Sequence, residues 1–183
     1  MRKGDTPSVM AMSWGKGDPH KDTIAVIFLD DAGRLREHTK LDNLFAGDNQ
    51  DEFKDMIKRR RPDVIAVGGF SIATMKLSRR IKELLNDSGQ KDASGSNGWG
   101  ESSTSNESLS TPVIYVHDQV ARIYQHSRRA DEEFSALSPL SKYCVGLARY
   151  VQSPLNEYAS LGADITAIAF DEDYQQLVCC AVH

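Results

Sequence analysis

Asp118 comes directly after an apolar run, Val113-Ile114-Tyr115-Val116-His117. A carboxylate at the end of a buried strand can serve as a ligand for a hard cation. Mg²⁺ takes oxygen ligands, chiefly carboxylates. Two such ions about 4 Å apart can clamp the attacking and leaving oxygens of a phosphoryl transfer. That chemistry needs about three or four converging carboxylates, and the chain is poor in them where apolar runs end. No Asp or Glu lies between Asp5 and Asp18, nor between Val64 and Lys82. A lone Asp118 can equally cap a following helix through its backbone amides.

Other chemistries find still less. There is no G-x-x-x-x-G-K-[ST] phosphate loop and no G-x-S-x-G nucleophile elbow. Cys144 lies on an apolar stripe and reads as packing. His20, His38, His117, His126 and His183 show no paired metal spacing, and His117 reads as a partly buried strand-end residue. Basic residues gather as Lys58-Arg59-Arg60-Arg61, Arg79-Arg80 and Arg128-Arg129. The first run closes a helix, where cations favour the dipole. Lys58, Arg59, Arg60 and Arg61 also stand as candidate phosphate or partner contacts. Tyr115, Tyr124, Phe134, Tyr143 and Tyr150 fall mostly at core-facing positions, so the stacking aromatics of a single-strand binder are missing.

The elements that must position these groups follow from patterning. Val9 to Trp14 reads as a short strand, stopped by Gly15-Lys16-Gly17-Asp18-Pro19. Thr23 to Asp30 and Arg34 to Leu41 are two more strands, joined by tight turns and therefore antiparallel. Asp51 to Arg61 has helical spacing with Phe53, Met56 and Ile57 on one face, ended by Pro62. Asp63 to Gly69 is a central strand. Gly68 and Gly69 read as a tight strand-to-helix turn. Ser71 to Asn86 is a helix with Ile72, Met75, Leu77, Ile81, Leu84 and Leu85 as candidate core. Residues 87–111 are rich in Ser, Gly and Asn and read as a mobile insertion, because such a composition buries too little to offset its ordering entropy. Pro112 to His117 is a fifth strand, and a short helix surrounds Val120 to Tyr124. Asp131, Glu132 and Glu133 read as a solvated charge run. A long helix opens at Ser138-Pro139, with Pro in its first turn. Its stripe is Leu140, Tyr143, Cys144, Leu147, Tyr150 and Val151. Ser153-Pro154-Leu155 interrupts it before helix resumes over Asn156 to Leu161. The result is α/β with a mixed five-stranded sheet, three antiparallel strands and then parallel ones, flanked by helices. That is the element order of the ribonuclease H fold.

The totals set bounds on partners. One domain fits 183 residues, and a net charge of −4 implies no general polyanion-binding field. No apolar run reaches the roughly 20 residues of a membrane span. Three cysteines, Cys144, Cys179 and Cys180, form neither a disulfide framework nor a zinc site. A reducing compartment fits them best.

Two stretches, "PVIYVHDQVARIYQHSRRADEEF" and "LSKYCVGLARYVQSPLNEYASL", resemble one part of the eukaryotic Tex-like transcription elongation factors, the suppressor-of-Ty-six family of histone chaperones. "VMAMSWGKGDPHKDTIAVIFLDDAGRL" and "RRRPDVIAVGGFSIATMKLSRRIKELL" resemble the earlier part of the same YqgF, or ribonuclease-H-like, domain. The resemblance covers roughly residues 8–175, and the terminal "VCCAVH" departs from it. It implies residues 1–7 as an extension, 8–161 as the YqgF domain and 162–183 as a segment leading toward a neighbouring domain, the whole an excised module. It implies a nuclear location and, as partners, neighbouring domains, RNA polymerase II, histones and other elongation factors. No cofactor and no membrane are expected, and nucleic-acid binding would be weak.

Related resolvases carry Asp about where Ser13 stands, and further carboxylates at the positions of Gly69, Asp118 and, early on the long helix, Lys142. Only Asp118 keeps one. The expectation is a degenerate site with no catalytic or metal-binding residue, in which Lys142 supplies a fixed positive charge beside Asp118. The alternative is a metal-dependent nuclease with migrated ligands, or a nucleic-acid-binding module of ribonuclease H type.

Overall fold

The computed structural model describes residues 6–18, 21–42, 44, 47–69, 71–91 and 111–168. Five strands form one mixed sheet in the order β3-β2-β1-β4-β5. They are β1 (Val9–Ser13), β2 (Ile24–Leu29), β3 (Leu35–Leu41), β4 (Val64–Gly68) and β5 (Val113–Val116). β1 pairs antiparallel with β2 and β2 with β3, whereas β4 lies parallel to β1 and β5 parallel to β4. The sheet is therefore α/β and ribonuclease-H-like, with β1 at its centre.

β1, β2 and β4 are buried along their whole length, so they read as unbroken apolar runs with both faces covered. On one face Met10, Met12, Ile24, Val26, Ile65 and Val67 meet helices α1 (Gly47–Arg60) and α2 (Ile72–Lys91). On the other face small residues, Ala11, Ala25 and Ala66, let α5 (Pro139–Gln152) sit close through Cys144, Leu147 and Ala148. The Cys144 thiol lies 3.7 Å from the Ala25 carbonyl, and burial pushes its pKa up, as expected for a packing residue. Where α5 crosses α3 (Gln119–Tyr124), a Cβ on Gly146 would stand 3.0 Å from the Tyr124 ring. α4 (Arg128–Glu133), α6 (Pro154–Ser160) and a 3₁₀ turn at Gly162–Ala167 complete the described chain.

Several expectations change. α1 begins at Gly47, one turn before Asp51. α2 runs on to Lys91, into the stretch read as an insertion loop; residues 92–110 lie outside the described residues, as do Cys179, Cys180 and the tail. Ile72 and Met75 are 69% and 52% exposed rather than core. The buried face of α2 passes through Thr74, Leu77, Ser78, Ile81, Leu84 and Leu85, and Ile72 and Met75 project from the opposite side. The charge run at Asp131 to Glu133 is helical. Ser127 caps α4 by accepting from the Ala130 amide, and Arg128–Glu132 and Arg129–Glu133 pair one turn apart. Tyr115 is 40% exposed, with the Lys82 ammonium 5.9 Å from its ring centre, and His117 is exposed too. Among the described residues no helix is long and apolar enough to cross a membrane.

Candidate functional site

The carboxyl ends of β1, β4 and β5 open onto a cleft of about 940 Å³. In open sheets ligands bind beyond the strand ends where neighbouring connections diverge. Ser13, Gly69 and Asp118, taken from the ends of three strands, all line it. Lys142 does not.

Asp118 stands at the N-cap position of α3, yet its side chain makes no capping hydrogen bond. It is held instead by two side chains. Arg122, one turn along α3, donates Nε at 2.7 Å, and the Tyr143 hydroxyl of α5 donates at 3.0 Å. Burial, with the adjacent Asp118 charge, pushes the Tyr143 phenol far above its ordinary range, so it stays a hydrogen-bond donor. The expected Lys142–Asp118 pairing is therefore corrected. Lys142, although only 6% exposed, sends its ammonium to Asp131 at 2.5 Å. Adjacent helical residues point about 100° apart, so the residue that faces the cleft is Tyr143 rather than its neighbour. Arg122 is the cation that the sequence reading placed at Lys142. Its four-residue spacing from Asp118 was the available signal.

Two glycines make room for this arrangement. A Cβ on Gly68 would lie 2.3 Å from the Tyr143 hydroxyl and 2.4 Å from Leu147 Cδ1. Gly69 has φ +78° and a Cβ there would approach Asp118 to 3.0 Å, so the turn needs glycine. Ser71 then caps α2, accepting from the Thr74 amide at 3.1 Å, while the Thr74 hydroxyl donates to the Gly68 carbonyl at 3.0 Å. The loop from β1 to β2 forms the other wall. The Asp22 carboxylate accepts the amides of Lys16 at 3.0 Å and Asp18 at 3.1 Å. Asp22, for which the sequence pattern gave no role, thus organises this loop.

The basic run is largely committed elsewhere. Arg59 and Arg60 both pair with Glu37 of β3, at 2.5 and 2.6 Å, and the Arg60 guanidinium lies 5.8 Å from the Phe28 ring centre. Partial burial alone would raise the Glu37 carboxyl, but the hydrogen bonds and charges of Arg60 and Arg59 outweigh it and hold the pKa down. Lys58 is exposed, and Arg61 ends the helix with φ 44° before Pro62. None of the four lines the cleft.

Chemically, Ser13 and Gly69 offer no carboxylate, and Asp118 already has two donors. Among the described residues no group of three or more His, Cys, Asp or Glu side chains is placed to hold a metal ion. What remains is a mixed cleft, lined by Ser13, Ser71 and Thr74, by Lys16, Lys21 and Arg122, and by Asp18, Asp22 and Asp118.

A family model described as YqgF, Holliday-junction resolvase-like of SPT6, matches residues 3–162. The chain is 39% identical over 194 residues to transcription elongation factor SPT6 of Mycosarcoma maydis, covering 93% of this chain and 11% of that protein. The SPT6 of Aspergillus fumigatus is 42% identical over 186 residues, covering 96% and 13%. That of Saccharomyces cerevisiae is 32% identical over 169 residues, covering 90% and 11%. The chain thus spans about a tenth of the length of these relatives.

Proposed function

The chain belongs to the YqgF family, the Holliday-junction-resolvase-like domain of SPT6, and from that premise we propose that it is a non-catalytic, pseudo-nuclease module of a nuclear transcription elongation factor. Its domain spans residues 8–161, with 1–7 as an extension and 162–183 leading toward a neighbouring domain. Its role is architectural: it packs with neighbouring domains of a parent protein that works as a histone chaperone alongside RNA polymerase II and other elongation factors. The names of the relatives support the elongation part of this reading.

One observation carries the loss of catalysis. Asp118, the single carboxylate left at the expected strand-end positions, is occupied by Arg122 and Tyr143. A cation entering there would have to displace a guanidinium charge, and Ser13 would give it only a neutral oxygen. Among the described residues, two-metal hydrolysis has no ligand set to work with.

The test is a thermal melt with and without Mn²⁺, on the native chain and on Asp118→Asn, paired with cleavage assays on branched DNA and RNA–DNA hybrid. A ligand at 100 times its dissociation constant stabilises by about 2.7 kcal/mol. The expected result is no Mn²⁺ shift and no cleavage. A shift abolished by Asp118→Asn, together with cleavage, would restore the nuclease reading.

A further inference from the structure

We propose that the outer face of α2 is a docking surface for an acidic, apolar segment of a partner protein. The surface lies outside the cleft and goes beyond the non-catalytic role above. Ile72 and Met75 are 69% and 52% exposed, and neither lines the cleft. The sheet takes the opposite face of α2 through Leu77 and Ile81, so the core cannot absorb them. Single exposed apolar side chains are ordinary, but these two adjoin on the first turn of the helix, three residues apart. A flexible thioether beside an aliphatic side chain adapts readily to an incoming apolar group.

The charge of the partner follows from what surrounds this pair. The helical repeat puts Lys76, Arg79 and Lys82 on the same outward face, and all three are exposed. Lys76 has no ion pair among the described residues, and Lys82 holds its ammonium 5.9 Å from the Tyr115 ring centre. Glu83 is shared by Arg79 and Arg80, at 3.2 Å from each. Residues 72–87 thus carry four cations against two carboxylates, Glu83 and Asp87, in a chain whose net charge is −4. The face is positive against the sign of the whole chain, and complementary potential selects an acidic partner.

The order of these groups along α2 sets the shape of the partner. From Ile72 to Lys82 the face runs about 15 Å, with the apolar pair at one end and the cations over the next two turns. A short amphipathic segment fits it, with apolar side chains at one end and carboxylates beyond. Nucleic acid fits less well. A phosphate backbone would meet the cations but has nothing to lay on Ile72 and Met75. Residues 72–87 contain no aromatic, and the nearby Tyr115 ring already carries the Lys82 ammonium. The interleaved rings of a single-strand binder are therefore missing from this face.

The experiment is a fluorescence-anisotropy titration of the native chain, paired with amide chemical-shift mapping. The probes are a short leucine–glutamate peptide with leucines at helical spacing, a glutamate peptide of equal charge without leucine, and a single-stranded oligonucleotide of equal charge. The expected result is binding of the leucine–glutamate peptide, weakened by salt, with shifts confined to α2 and the adjoining β5. Ile72→Ser/Met75→Ser should weaken it about tenfold. Lys76→Gln/Lys82→Gln should weaken it about threefold and flatten its salt dependence. Lys58→Gln, which removes an exposed cation of α1, should leave it unchanged. These variants change only exposed side chains, so their thermal melts should superimpose on that of the native chain. Equal affinity for the leucine-free peptide or the oligonucleotide would overturn the proposal. So would indifference to Ile72→Ser/Met75→Ser, an equal loss in Lys58→Gln, or shifts centred away from α2. Failure to bind the leucine–glutamate peptide would also overturn it, while leaving the non-catalytic role standing, because that role rests on the cleft and on the cleavage assays.

Discussion

Two charged clusters in this molecule each join arginine, tyrosine and carboxylate side chains and end in different states. In the cleft, Arg122 and Tyr143 meet Asp118, and the arginine keeps two nitrogens in reserve. Among α3, α4, α5 and α6, Arg129 and Arg149 meet Glu133, Glu157 and Tyr124, and almost nothing is left over. Arg129 grips Glu157 with both terminal nitrogens at 3.2 and 3.3 Å, Glu133 with Nε at 3.1 Å and the Ser160 hydroxyl at 2.6 Å. Arg149 reaches Glu133 at 2.6 Å and the Tyr124 hydroxyl at 3.2 Å. Both guanidinium groups lie over the Tyr124 ring, at 5.5 and 5.6 Å from its centre. Burial is the main reason the Tyr124 phenol is pushed up to about 12. The closed cluster staples α6 to the domain; the open one borders a cleft. The two clusters differ in how many guanidinium nitrogens the surrounding side chains occupy: one on Arg122, all three on Arg129.

The comparison breaks most sharply at Arg129. Arg129→Ala leaves Glu157, which is 5% exposed, without its bidentate partner. Removing one partner of a buried pair costs about 3 kcal/mol. In a chain of this size that lowers Tm by about 6–12 °C. A fall no larger than that of Arg122→Ala would show the two clusters to be energetically alike.

Acid should open the same cluster. Burial would raise the Glu133 carboxyl, but the hydrogen bonds and charges of Arg149 and Arg129 dominate and hold its pKa low. A carboxyl depressed on folding contributes stability above its unfolded pKa of about 4.3. That contribution is lost as pH falls through the lower folded value. Tm measured downward from pH 5 should therefore drop below about pH 4.3, and the drop should flatten in Arg149→Met. Parallel profiles in the two proteins would remove Glu133 from the account.

Gly68→Ala probes the cleft side. The added Cβ must displace the Tyr143 hydroxyl and Leu147, an overpacking cost of about 2 kcal/mol. Tyr143→Phe loses only its hydrogen bond to Asp118, about 1 kcal/mol, because Arg122 remains on the carboxylate. Smallest of all is Arg122→Ala, within about 1 kcal/mol, since that side chain is 67% exposed and its pair is screened. Denaturant melts of the three variants should fall in that order, and a large loss at Arg122 would assign the open cluster a structural role.

The limits of sequence reading show at particular residues. The buried strands were legible because unbroken apolar runs bounded by turn residues have few other uses, and the antiparallel pairs because their connections are short. Asp118 was legible as a strand-end carboxylate, and Gly69 as the turn that follows β4. Lys142 was misassigned by one position, which on a helix turns the side chain through about 100°. Ile72 and Met75 looked like core because apolar residues at helical spacing do not say which face of a helix the sheet will cover. α4 was missed because its sequence is almost wholly polar: its support comes from a Ser127 cap and from ion pairs to α5 and α6.

By itself, then, the sequence determined the alternation of strands and helices, the absence of carboxylates where β1 and β4 end, and the resemblance to the YqgF family. Those depend on residue type and on neighbours close along the chain. Only the tertiary structure decided that Asp118 is paired with Arg122 and hydrogen-bonded by Tyr143, that Glu37 absorbs Arg59 and Arg60, and that Ser13 and the cations of the β1–β2 loop border one cleft. Whether a charge is spent or spare depends on which groups the fold brings within about 3 Å of it. Most of those groups lie on other elements, so chain order alone does not reveal them.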